Sequence, residues 1–161
     1  MSESTPLIRR AVPGDESILG ALCKAVHELH VNARPDVFLP YDAEALRRWF
    51  GELLAGGEVK FWIVEIDGVA AGYVSAARKS REANPFSPAR EWCEIDNLAV
   101  EPAFRKQGFG RLLMETAMDD ARSAGLRVFE LTSWWFNESG RAAFQSLGFQ
   151  PRFVRFEQID P

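Results

Sequence analysis

Hydrophobic positions change their period twice along the chain. After a short strand-like opening, Leu7 to Arg10, the turn Pro13-Gly14-Asp15 leads into Ile18, Leu19, Leu22, Val26 and Leu29 at three- and four-residue spacing. This predicts one helix with Asp15 as its N-cap. A loop from Asn32 to Pro40 follows. Asp42 then caps a second helix with the stripe Leu46, Trp49, Phe50, Leu53 and Leu54, ended by Gly56-Gly57. The centre reads as strands: Phe61 to Ile66 is nearly continuous in hydrophobicity, Asp67-Gly68 is a two-residue hairpin signal, and Val69 to Ala77 returns. Arg78 to Arg90 reads as an exposed loop, either a lid or a plain connection. Glu91 to Val100 is the next strand. A helix from Gly108 carries Phe109, Leu112, Leu113, Ala117 and Ala121 on one face and stops at Gly125. Val128 to Phe136 (strand), Glu138 to Leu147 (helix) and Phe153 to Ile159 (strand) complete the order β-α-α-β-β-β-α-β-α-β. Such an order predicts an α/β domain on a mixed sheet, one domain spanning 1–161.

Composition narrows the partners. The 161 residues are 47% hydrophobic and 26% charged, ordinary values for a packed core. A net charge of -4 lacks the basic footprint of a nucleic-acid binder. No apolar run approaches the ~20 residues of a membrane span, and the polar opening Met1 to Pro6 lacks a signal-peptide pattern. The expectation is a cytoplasmic protein with no nucleic-acid or membrane partner. Cys23 and Cys93 sit inside apolar patterns and read as buried free thiols.

The chemistry concentrates after the fourth strand. Glu94 to Val100 runs through Glu101 to Gly110 straight into a helix. A strand–loop–helix junction of this kind leaves backbone amides pointing outward, and with the helix dipole they make an anion site. Gly108 and Gly110 allow close backbone approach, while Arg105, Lys106 and Arg111 add three cations. The set suits a pyrophosphate, with a solvated turn as the bland alternative. A dinucleotide fingerprint would need glycine where Leu113 stands, and the Gly-Lys-Ser/Thr of a nucleotide P-loop is absent.

Arg105-x-x-Gly108-x-Gly110, with Asn137 and the run Ala143 to Phe149 downstream, resembles the GNAT superfamily of acyl-CoA-dependent N-acyltransferases. The opening Ile8 to Asp15 is similar to that family's usual start, and the likeness runs from about residue 7 to 157. The resemblance implies a GNAT-like mixed sheet of six or seven strands with four helices, splayed between strands 4 and 5. It also implies acetyl-CoA as acyl donor, no metal, and direct transfer to a small-molecule amine; a homodimer is compatible with it. Carried over residue by residue, the pantetheine arm pairs with backbone at Leu98, Ala99 and Val100, and the pyrophosphate sits on the amides of Arg105, Lys106, Gln107, Gly108, Phe109, Gly110 and Arg111. Asn137 contacts the cofactor arm, or caps the next helix, or both. Leu98 N–H meets the thioester oxygen.

Transfer requires a neutral amine, and an alkylammonium has a pKa of ~10.4, so a base or water relay must take its proton. Glu94 stands where some family members place a catalytic glutamate. Asp96, two residues on, is expected on the same strand face. One position departs from the family: its usual general-acid tyrosine is replaced by Phe144, leaving Tyr41, Tyr73, Ser139, Ser146 or water as substitutes. A CoA-binding sensor without turnover, and an acetyltransferase acting on protein lysines or N-termini, are therefore the rival readings. His27 and His30 read as helix surface or acceptor-pocket lining rather than metal ligands. Trp134 and Phe136 are expected on one face and Trp135 on the other, either in the core or as an acceptor wall.

Overall fold

A computed structural model describes residues 5–160; most of the polar opening, Met1 to Ser4, lies outside them. The elements are β1 (Leu7–Arg10), α1 (Glu16–Leu22), α2 (Lys24–Ala33), α3 (Ala43–Gly56), β2 (Val59–Ile66), β3 (Val69–Arg81), β4 (Arg90–Val100), α4 (Phe109–Ser123), β5 (Phe129–Leu131) and α5 (Glu138–Ser146), with a 3-10 turn at Pro102–Phe104 before α4. The sheet order is β1-β2-β3-β4-β5. All neighbours are antiparallel except β4 and β5, so the sheet is mixed as expected.

The continuous apolar run of β2 is explained by cover on both faces. Phe61 and Ile63 enter the core formed with Leu19, Leu22, Phe50 and Tyr73, on the side of α1 and α3. Trp62 and Val64 enter the core with Leu113, Met114 and Ala117 of α4 on the other. Asp42 caps α3 as read from the sequence, its carboxylate accepting from the N–H groups of Glu44 and Ala45 at 3.0 Å.

Among the described residues the sheet has five strands rather than six or seven, and the helices number five rather than four. The expected first helix breaks at Cys23 into α1, which packs into the core through Leu19 and Leu22, and α2, which has no fully buried residue. The expected strand Val128 to Phe136 pairs only over Phe129–Leu131. With so short an edge beside it, the β-prone segment Phe153 to Ile159 joins no ladder, and its apolar side chains stay exposed. The expected loop Arg78 to Arg90 is half hairpin: the β3–β4 ladder continues to Arg81 opposite Arg90, with Arg78 and Glu91 paired at 2.6 Å.

Two local constraints yield predictions. Gly72 lies under the end of β4, where a Cβ would come within 2.6 Å of the Ala99 carbonyl oxygen. Gly72→Ala should cost about 1–3 kcal/mol in urea unfolding, because backbone must move to admit the methyl; an unchanged midpoint would contradict this. Asp15 accepts two hydrogen bonds from the Arg9 guanidinium at 2.8 and 2.9 Å and one from the Val12 N–H. The Arg9 bonds foremost hold its carboxyl below the usual carboxylate range. The unfolded chain then binds more protons than the folded one in acid, so this stabilisation is present above about pH 4 and is lost as pH falls through the lowered pKa. Urea midpoints measured from pH 6 to pH 3 should fall further in the wild type than in Asp15→Asn, and parallel falls would refute it.

Candidate active site

Ladder pairing between β4 and β5 ends at Ile95 and Leu131, while β4 continues to Val100. The splay expected between the fourth and fifth strands is therefore present. Asn97 N–H donates to the Ser75 hydroxyl at 3.0 Å and Glu101 N–H to the Ala71 carbonyl at 2.8 Å, both toward β3. Successive residues of a strand aim their polar backbone in opposite directions, so Leu98 and Val100 present theirs to the gap. Ala99 sits opposite Tyr73 with its backbone turned toward β3, and it lines the cavity in the gap beside Leu98.

A bulge separates the two candidate carboxylates. Ile95 pairs with Ala76 and Asn97 with Ser75, leaving Asp96 as the extra residue. The bulge interrupts the period-two alternation on which the expectation of a shared face for Glu94 and Asp96 rests. Asp96 lines a cavity of about 490 Å³ in the gap, and Glu94 does not. Glu94 instead accepts a 2.7 Å hydrogen bond from the Trp92 indole.

The cavity is lined by Leu98 and Asp96 of β4, by His27 and His30 of α2, and by Asn137 and Phe144. Asn137 caps α5, accepting from Gly140 N–H at 3.1 Å, while also standing on the cavity wall, so both expected roles are geometrically open to it. Phe144 lines the same wall, so no hydroxyl stands at that position. Of the two tyrosines, Tyr41 donates to the Gly20 carbonyl at 3.1 Å. Tyr73 is buried in the cavity floor, and burial foremost, with Cys23 and Asp96 nearby, raises its phenol well above the ordinary value. Burial also pushes the Cys23 thiol up to about 11, and Cys93 is buried among core residues on the α4 side with its thiol likewise raised. Neither sulfur is set up as a nucleophile.

Directly beyond this open stretch of β4 the chain makes the 3-10 turn and enters α4 through Lys106, at φ 61, and Gly108, at φ 86. Gly108 is the N-cap residue and gives no side-chain cap to the helix; a Cβ there would meet nothing within 4 Å. The first amides of α4 thus face open space at the positive end of a 15-residue helix. Arg105 Nε donates to the Val100 carbonyl at 3.0 Å, Gln107 reaches the Ala103 carbonyl at 3.3 Å, and Arg111 bonds the Ser146 carbonyl at 3.2 Å, while Lys106 is exposed. Phe109 and Gly110 open the helix itself, Phe109 packing toward the α4 core. An anionic diphosphate fits this open amide cradle, and an acyl-pantetheine arm fits the unladdered backbone at Leu98.

Sequence reasoning missed Cys23, Asn97, Thr132 and Ser133 as wall residues. Nothing in a β-prone run signals that the chain will leave its sheet after Leu131. Trp134 and Phe136 do share a side, stacked at 5.7 Å, and Trp134 lines the cavity; Trp135 is turned out beneath the Arg141 guanidinium. A depression of about 540 Å³ at the far end of the sheet, between Arg81 and Arg127, has none of these features. Among the described residues no cluster of three or more His, Cys, Asp or Glu is placed to hold a metal, and no helix is long and apolar enough to cross a membrane.

The chain belongs to the acetyltransferase (GNAT) family, whose model matches residues 23–149. An uncharacterized N-acetyltransferase of Methanocaldococcus jannaschii is 29% identical over 117 residues, covering 71% of this chain and 50% of that protein. The ribosomal protein bS18-alanine N-acetyltransferase of Salmonella typhimurium is 34% identical over 59 residues, 37% of this chain and 40% of its own length. The chain thus spans about half the length of such curated relatives. Among solved structures, a mutant of the BH1408 protein from Bacillus halodurans superposes with a TM-score of 0.90 at 23% identity, over 96% of this chain and 99% of that one. An aminoglycoside N-acetyltransferase in complex with CoA gives 0.77 at 19% identity, over 98% and 97%. These two likenesses carry the fold.

Proposed function

We propose that the protein is an N-acetyltransferase that moves acetyl from acetyl-CoA to a primary amine by direct attack in a ternary complex. The observation that carries this reading is the continuous cavity in the strand gap, which joins the open backbone of Leu98 to the carboxylate of Asp96. Bound acetyl-CoA supplies an activated acyl carbonyl there. Leu98 N–H is oriented to donate to that carbonyl's oxygen as negative charge develops on it. The amides from Arg105 to Arg111 hold the diphosphate, and Lys106 adds charge at its edge. Asp96 fixes the incoming ammonium and relays its proton to solvent, while Glu94, bonded to the Trp92 indole, stands outside the cavity lining. Tyr73, the phenol on the cavity floor, keeps its proton at neutral pH. A thiol pKa of ~8.5 makes the departing thiolate tolerable without a dedicated acid. The raised thiols of Cys23 and Cys93 speak against an acyl-enzyme.

Phe144 is the one observation that favours the sensor reading, since the cavity has no hydroxyl where the family places its acid. Tight acetyl-CoA binding with no thiol release from free amines or peptides would select it, and release from peptides alone would select a protein acceptor.

Gly108→Glu should abolish acetyl-CoA binding in calorimetry, because a carboxylate would occupy the diphosphate cradle; retained affinity would sink the loop assignment. Asp96→Asn should lower kcat by about 10²–10⁴ with little change in acetyl-CoA affinity, and Glu94→Gln by less. Steady-state rates equal to wild type in Asp96→Asn would reject its role.

A further inference from the structure

Tyr73 stands apart among the polar groups of the cavity wall. The Cys23 thiol donates to the Gly20 carbonyl at 3.3 Å, and ring nitrogens of His27 and His30 sit on the carbonyls of Leu39 and Val26 at 2.8 and 2.7 Å. Asn97 donates to Asp96 at 3.1 Å, and Asn137 caps α5. The Tyr73 hydroxyl has no hydrogen-bond partner among the described residues, although only 1% of the residue is exposed. No wholly buried side-chain nitrogen or oxygen among the described residues lacks a partner, so the hydroxyl is the part of Tyr73 that reaches the cavity.

Its place is fixed by the core. Tyr73 lies on the central strand, paired with Ile63 on one side and Ala99 on the other. The ring packs edge-on to Phe50 at 6.0 Å and lies 6.4 Å from Phe61, so the hydroxyl is held at one point. Burial foremost, with Cys23 and Asp96 nearby, raises the phenol well above its ordinary value. Passing its proton to a departing thiolate, whose ordinary pKa is ~8.5, would leave a buried phenolate near Asp96, which burial and charge both oppose. Tyr73 therefore offers a hydrogen bond and keeps its proton. Solvent satisfies that donor in an open cavity, and a ligand that displaces the solvent must replace the bond or leave the donor unpaired. Val26, Leu46 and Phe50, which line the cavity from the same core, are apolar and offer no substitute.

We infer that the acceptor is a primary amine that also carries a neutral oxygen (ether, hydroxyl or carbonyl), its ammonium set against Asp96 and its oxygen accepting from the Tyr73 hydroxyl. This rests on the transfer reading and deepens it by naming the acceptor class. A carboxylate in place of the neutral oxygen would meet the like charge of Asp96. Tyr73 is the specificity-determining residue, because an alkyl amine of the same shape displaces solvent and strands the phenol O–H.

The test uses thiol release from acetyl-CoA with two matched pairs, 2-methoxyethylamine against butylamine and 3-methoxypropylamine against pentylamine, with kcat/KM expressed per neutral amine. In the wild type the better ether should exceed its alkyl partner by about tenfold or more, and Tyr73→Phe should bring that ratio close to one. The variant should keep its urea midpoint, since the hydroxyl bonds nothing in the protein, and its acetyl-CoA affinity in calorimetry, since the phenol reads the acceptor. Equal use of ethers and alkyl amines by the wild type, or a ratio that survives Tyr73→Phe, would overturn the inference and leave the transfer reading standing. A clearly lowered midpoint or a weakened acetyl-CoA affinity would overturn it too, by assigning the hydroxyl to the fold or to the donor. No release from any of the four amines, in protein that still binds acetyl-CoA, would overturn both readings.

Discussion

Backbone N–H and C=O groups must be paired or wetted, and the ladder between β4 and β5 stops at Ile95 and Leu131 while β4 continues for five more residues. Everything in the site follows from that unpaired stretch. The groups of Leu98 and Val100 lose a strand neighbour, and the space the neighbour would have filled becomes the cavity. Both faces of the sheet near this point are fixed by large cores, Phe50 and Tyr73 on one side and Leu113 and Met114 on the other, so the gap cannot close by collapse. A rigid opening with polar backbone on one wall is a natural partner for an extended molecule that supplies its own amide groups.

The bulge at Asp96 works on the same wall at shorter range. It adds one residue to β4 against Ser75, which re-aims a carboxylate into the cavity and leaves Glu94 turned to the Trp92 indole. Below the bulge, Cys93 and Ile95 face the α4 core; above it, Ala99 joins the core on the side of α1 and α3. One inserted residue thus decides which of the two acids lines the cavity.

Much of this is legible in the chain, and what escapes has specific causes. Hydrophobic continuity in β2, the Asp67-Gly68 hairpin, the Asp42 cap and the glycine loop before α4 are local features, each with its own chemistry, and each stands where its residues put it. The bulge is not legible, because Asp96 and Asn97 look like ordinary alternating strand residues and only the partner strand reveals the extra one. The helix break at Cys23 escapes because the spacing of Val26 and Leu29 continues the helical period, although no residue of α2 is fully buried. A strand at Phe153 to Ile159 follows from propensity, which β5, three residues long, leaves without an edge to pair on. The family resemblance points to Glu94 for the acid-base chemistry, whereas the carboxylate on the cavity wall is that of Asp96, since a motif carries positions and not the local register.

Arg105 ties the open edge of β4 to the glycine loop that follows it. Its Nε holds the Val100 carbonyl, the last polar group of the open edge, from within the glycine loop that precedes α4. A ligand amide that pairs at Val100 exchanges one hydrogen bond for another and gains little from that contact itself. In the proposed donor complex, what it releases is a guanidinium beside the diphosphate. On that proposal, engagement of the arm and engagement of the charged end are coupled through one side chain, and a fragment carrying only one of them forgoes the coupling.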